Sequence, residues 1–143
     1  MRPLMVPGKR DSLVRIGDYV VEAGRLGGLC RRDVYRLHLA VDEIATNIVI
    51  HGYGRTGTEG MIEVSTTLDD RMLTVVVEDT ARPFNPCLVP EPYDLDFPLE
   101  SRKIGGLGIY LALQSVDTFA YEYVNRRNRN IFGMYRSGRE PDP

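Results

Sequence analysis

The chain has 143 residues, 18 of them basic and 20 acidic, for a formal net charge of −2, with 43% apolar and 27% charged residues. That profile fits one soluble domain spanning 1–143 that buries a core without disulfide or metal staples, and it excludes a bulk basic footprint for nucleic acid. No apolar run approaches the ~18 residues of a membrane span, and the N-terminal "MRPLMVPGKRDS" lacks the apolar stretch of a signal peptide, so a cytoplasmic protein is expected. Cys30 and Cys87 show neither CxxC nor zinc spacing and are read as reduced thiols with no catalytic role.

The elements can be taken in chain order. After a short extended "PLMVP", residues 11–25 place Leu13, Ile16, Tyr19, Val20 and Ala23 on one helical face, with Asp11 or Ser12 as N-cap. Residues 32–51 carry Val34, Leu37, Val41, Ile44 and Ile48 at alternating spacings of three and four, a second helix that the glycines of "HGYGRTGTEG" are expected to end. "MIEVSTT" and "MLTVVVED" alternate with period two around the turn "LDDR", so residues 61–79 read as an antiparallel hairpin. A loop follows over 80–104, with Pro83, Pro86, Pro90, Pro92 and Pro98; a loop of that length in a small domain is more often functional than idle. "GGLGIYLALQSV" opens a third helix, and "DTFAYEYV", "NRRNRN" and "IFGMYR" read as strand, polar turn and strand. The order predicts an α+β fold, a two-layer sandwich with helices over one face of a mostly antiparallel sheet.

Three places carry candidate chemistry, each beside a purely structural alternative. On a helical wheel at ~100° per residue, Glu43, Asn47 and His51 share one flank of the apolar stripe, where the helix leaves the core. They suit a half-desolvated site, or else are capped polar residues at a core edge. Asp79 ends a strand packed with valines; its carboxylate can accept from an exocyclic amine, or simply shape a turn. Pro83 and Phe84 beyond it offer flat apolar surface to a base, or anchor the loop. Gly105, Gly106 and Gly108 precede a helix, where backbone N–H groups can converge on an anion, or allow tight packing. No GK[ST] follows, so this is not a Walker A loop, and no strand leads in as a dinucleotide fingerprint requires. Arg126, Arg127 and Arg129 beside Tyr121 and Tyr123 raise RNA binding, but in a negative chain between two strands they read as a solvated turn.

The ExxxN helix, the strand-ending aspartate, the long loop and the GxG helix start, in this order, resemble the ATP-binding site of the GHKL (Bergerat-fold) ATPase superfamily. Within it the chain is most similar to the bacterial anti-sigma-factor serine/threonine kinases of partner-switching pathways. The likeness runs from about residue 11 to 137, through "AVDEIATNIVIHGYG", "DTARPFNP", "VPEPYDLDFPLESRKIGGLGIYL" and "SVDTFAYEYVNRRNRNIF".

That resemblance implies ATP and Mg²⁺ as cofactors. It casts Asn47 as the Mg²⁺ ligand, Glu43 as the general base toward a partner's serine, Asp79 as the reader of the adenine amine, and Gly106, Leu107 and Gly108 as backbone donors to phosphate. It adds Ala81, Pro83, Phe84, Gly105 and Ile109 to the nucleotide-binding set, with His51 in support. The chain departs from the wider pattern in three ways. Ala81 and Pro83 stand within the superfamily's D-x-G-x-G, Ile104 precedes Gly105 where some relatives carry a base that Arg102 or Lys103 would replace, and Asn130 stands where many relatives have threonine. The implied partners are an anti-sigma antagonist with a target serine and a sigma factor or equivalent target. A homodimer is implied as well, for which the helix at 11–25 is the candidate interface; direct nucleic-acid and membrane contacts are not expected. Two other functions remain open, a nucleotide-dependent binding module without effective phosphotransfer and a water-directed ATPase.

Overall fold

The structure, a computed structural model, describes residues 1–89 and 107–136. Its elements run β1 (Leu4–Pro7), α1 (Ser12–Leu26), α2 (Arg31–Asn47), a π-helical segment (Ile48–Gly54), β2 (Met61–Leu68), β3 (Met72–Asp79), a 3₁₀ turn (Pro86–Leu88), α3 (Leu107–Ser115), β4 (Thr118–Val124) and β5 (Arg127–Tyr135). The five strands form one antiparallel sheet in the order β1-β2-β3-β5-β4. The expected α+β two-layer sandwich is therefore what the chain forms, with the hairpins at 61–79 and 118–135 in place and "PLMVP" paired as an edge strand.

Period two decides which side of the sheet the helices cover. Val6, Ile62, Val64, Leu73, Val75, Val77, Phe132 and Met134 point inward and are buried. They meet Ile16 and Val20 of α1, Leu37, Val41 and Ile44 of α2, and Ala112 of α3, in one core. Phe119 and Phe132 close it edge-to-face, 5.2 Å between ring centres. The other face carries charge: Arg127 bonds Glu78 at 3.1 Å and Glu63 at 3.4 Å, while Arg129 bonds Glu122 at 2.7 Å and also pairs with Glu78. Such partly exposed ion pairs add little stability, but they make this face a poor place for a second helical layer.

The second helix ends within the glycine stretch as expected, at Gly54, but it is π-helical from Ile48 onward. Tyr53 in that segment is buried, and its hydroxyl donates to Met61 O at 2.8 Å and accepts from Thr80 N at 2.8 Å, which anchors the segment to the sheet. One expectation is corrected. "NRRNRN" is not all turn: only Asn125 and Arg126 turn, with φ of 53° and 62°, and β5 begins at Arg127. Paired left-handed residues are what a two-residue hairpin loop requires, and Arg126 sits there at a cost of about 1 kcal/mol.

Candidate functional site

The inward row at the end of the sheet next to Asp79 breaks the apolar pattern. Asp79 on β3 faces Asn128 on β5, and Val77 faces Asn130, so two asparagines and an aspartate share the core side of the sheet. All three are at most 3% exposed. Asp79 Oδ1 is satisfied twice, accepting from Ala81 N at 3.0 Å and from Asn128 Nδ2 at 2.8 Å. Asp79 Oδ2 and Asn130 Oδ1 are buried with no partner among the described residues. Burial pushes the Asp79 carboxyl up from its ordinary value, opposed by the Asn128 amide and the Ala81 N–H.

Orphaned buried acceptors are rare because each costs about 1–3 kcal/mol, so two in one place point to a ligand that donates to them. They lie on a cavity of about 170 Å³. Ile44, Asn47, Ile48 and His51 wall it from α2 and the π-helical segment, Ala81, Phe84 and Pro86 from the loop after β3, and Asp79, Asn128 and Asn130 from the sheet. Complete small-molecule sites run to roughly 300–1,000 Å³, so the described residues form only part of such a site, apolar around a polar floor. A larger groove of about 930 Å³ opens on the other side of the π-helical segment, past Lys9, Tyr53 and Glu59. It contains neither orphaned acceptor, and we assign the chemistry to the smaller cavity.

The helix flank lies above that floor. Asn47 opens on the cavity, and its carboxamide has no hydrogen-bond partner among the described residues. Glu43, one turn earlier, lies against the first turn of α3: a Cβ on Gly108 would overlap its carboxylate, with Glu43 Cδ 3.1 Å away. The glutamate thus stands over a helix N-terminus, where backbone N–H groups and the helix dipole favour anions. Among the described residues no group of three His, Cys, Asp or Glu could hold a metal ion. A divalent ion here would take most of its ligands from phosphate and water, as Mg²⁺ does.

The structure brings Asn47, Asp79, Ala81, Phe84 and Asn130 together on the cavity, with His51 on its rim, exposed and not bonded to Asn47. Pro83 is exposed and does not line the cavity, and Ile109 is buried in the core beside Glu43's neighbour Gly108. Leu107 begins α3. Arg102, Lys103, Gly105 and Gly106 lie outside the described residues.

Two residues that shape the site, Asn128 on the cavity and Tyr53 behind it, are not evident from sequence pattern alone. Asn128 was lost inside the polar turn, although Asn128, Asn130, Phe132 and Met134 keep period two and mark a buried strand face. Tyr53 fell among glycines; Gly8 and Gly60 stay side-chain-free under its ring, where an added Cβ would overlap it.

A family model, the histidine kinase-like ATPase domain, matches residues 6–134. Relatives include a protein named serine-protein kinase RsbW from Bacillus mycoides, 28% identical over 111 residues, covering 76% of this chain and 68% of the relative. Another of that name, from Halalkalibacterium halodurans, is 34% identical over 92 residues, covering 62% of this chain and 54% of the relative. The chain thus spans about two thirds of one and about half of the other. No helix among the described residues is long and apolar enough to cross a membrane.

Proposed function

The chain belongs to the histidine kinase-like ATPase family, and from that premise we propose that it is an ATP-dependent protein-serine/threonine kinase that phosphorylates an anti-sigma antagonist and, as an anti-sigma factor, sequesters a sigma factor or equivalent target. The observation that carries the nucleotide part is the pair of orphaned acceptors, Asp79 Oδ2 and Asn130 Oδ1, on a cavity rimmed by Asn47. An adenine amine donates there; guanine carries a carbonyl at the matching position and is repelled. The serine-kinase part is favoured by the names of the two relatives.

In this reading Ile44, Ile48, Ala81 and Phe84 hold the base and exclude water. Asn47 would help hold Mg²⁺, which would supply positive charge to the phosphates. The backbone at the start of α3 receives the phosphates. Glu43 accepts the proton of the partner's serine hydroxyl as its oxygen bonds to the γ-phosphorus; the bond to the β-phosphate oxygen breaks and ADP departs. The family resemblance would have Arg102 or Lys103 add charge near the γ-phosphate and Gly105 and Gly106 extend the phosphate cradle; all four lie outside the described residues. The protein acts as a homodimer in the cytoplasm.

The test is incubation with MgATP and the antagonist-like protein encoded beside its gene. Phosphoserine should form, and Glu43→Ala should slow it at least 100-fold, within the 10²–10⁴ range of general-base effects, while ATP still binds. If no phosphoserine forms, and Glu43→Ala behaves as wild type, the kinase is ruled out. Nucleotide-dependent partner binding without turnover would then leave a binding module, and phosphate release without a protein substrate would leave a water-directed ATPase.

A further inference from the structure

Asn128 belongs to no element of the phosphotransfer chemistry, yet it is 3% exposed and every polar atom of its side chain is engaged. Its Nδ2 donates to Asp79 Oδ1 at 2.8 Å, Ala81 O at 3.1 Å and Arg82 O at 3.2 Å. Its Oδ1 accepts from Phe84 N at 3.1 Å and from the Tyr121 hydroxyl. One carboxamide thus joins the base-facing carboxylate, three residues of the wall beside it, and the edge strand β4. Asp79 has two chemically equal oxygens, and rotation about its last torsion would exchange them. What breaks the equality is that Oδ1 is held by Asn128 and Ala81 N while Oδ2 has no partner among the described residues.

We propose that Asn128 is a positioning residue for base recognition: it occupies one oxygen of Asp79 and pins residues 81–84, so that the other oxygen and the apolar wall meet the base in fixed register. This rests on the reading of the cavity as an adenine-nucleotide site. Only a donor can fill the role, because a carboxylate opposite Asp79 Oδ1 would repel it. The Asn128 amide also helps keep Asp79 ionised, and so accepting only, against the effect of burial. Among the described residues, the other titratable or charged groups near the cavity are Tyr121, His51, Arg55 and Arg82. All are shared by wild type and variant and cancel when their affinities are compared at one pH.

The experiment is calorimetric titration of wild type, Asn128→Asp and Asn128→Ala with ATP and GTP from pH 5.5 to 8.5, beside melting curves of the nucleotide-free proteins. At pH 8 both variants should lose at least tenfold in ATP affinity and most of their preference over GTP. As pH falls, Asn128→Asp should recover toward wild type, because the facing carboxyls come to share one proton and the O–H replaces the lost N–H donor; Asn128→Ala should not recover. A residue with a merely structural role would lower the melting temperature but leave base preference and its pH dependence unmoved. Wild-type affinity and base preference in either folded variant overturns the inference. A wild type that binds no adenine nucleotide overturns the reading of the cavity, and the inference with it.

Discussion

At the scale of single residues, the site sits where the sheet's inward pattern turns from valine to amide and carboxylate. Asp79 is the most expensive of these groups, since burial disfavours its charged form. Its folded value is raised above the unfolded one, so the group favours folding most below its ordinary range, near pH 4. That contribution is lost as pH rises through the folded value. The Asp79→Asn variant has no charge to bury and can keep the oxygen that accepts from Asn128 and Ala81 N. It should therefore melt higher than wild type at pH 7, with the gain shrinking as pH falls toward 4. Chemical denaturation of the nucleotide-free proteins across that range checks it; a gain that grows on acidification contradicts the sign. Sequence made Asp79 legible because it ends an apolar strand, and Glu43 and Asn47 because they share a helix flank. Asn128 was hidden by composition, two asparagines among arginines that look like a turn until the strand's period is followed back from Phe132.

At the scale of elements, the site depends on contacts between segments remote in sequence. Tyr53 ties the π-helical segment to Met61 and Thr80, next to Asp79, and so sets one wall of the cavity against its floor. The helix was legible from its apolar spacing and its end from the glycines; the π-helical form of Ile48–Gly54 was not, because it depends on tertiary contacts such as those of Tyr53. Glu43 and the start of α3 form the other junction. Gly108→Ala would place a methyl on the Glu43 carboxylate and push it from the helix start. Phosphotransfer to the antagonist should fall at least tenfold, and by more than ATP affinity, which also draws on the cavity around Asp79. Equal losses in single-turnover rate and in affinity would show instead that the two parts of the site are one unit.

For the whole molecule, the layering follows from the sheet: apolar and helix-covered on one side, laced with Glu–Arg pairs on the other. The arginines of "NRRNRN" are absorbed there, Arg127 and Arg129 bonded to Glu63, Glu78 and Glu122. The layer order and hairpins were legible because period two and period 3.6 separate cleanly along the chain; which end of the sheet would hold the ligand needed the strand register. The proposed chemistry requires that end to be an adenine-nucleotide site. Its most direct test is titration of the wild type and Asp79→Asn with ATP and with GTP in the presence of Mg²⁺. One ATP per chain, a preference over GTP of at least tenfold, and loss of that preference in Asp79→Asn are predicted. Equal affinity for the two nucleotides, or an Asp79→Asn variant that still prefers ATP as wild type does, would contradict it.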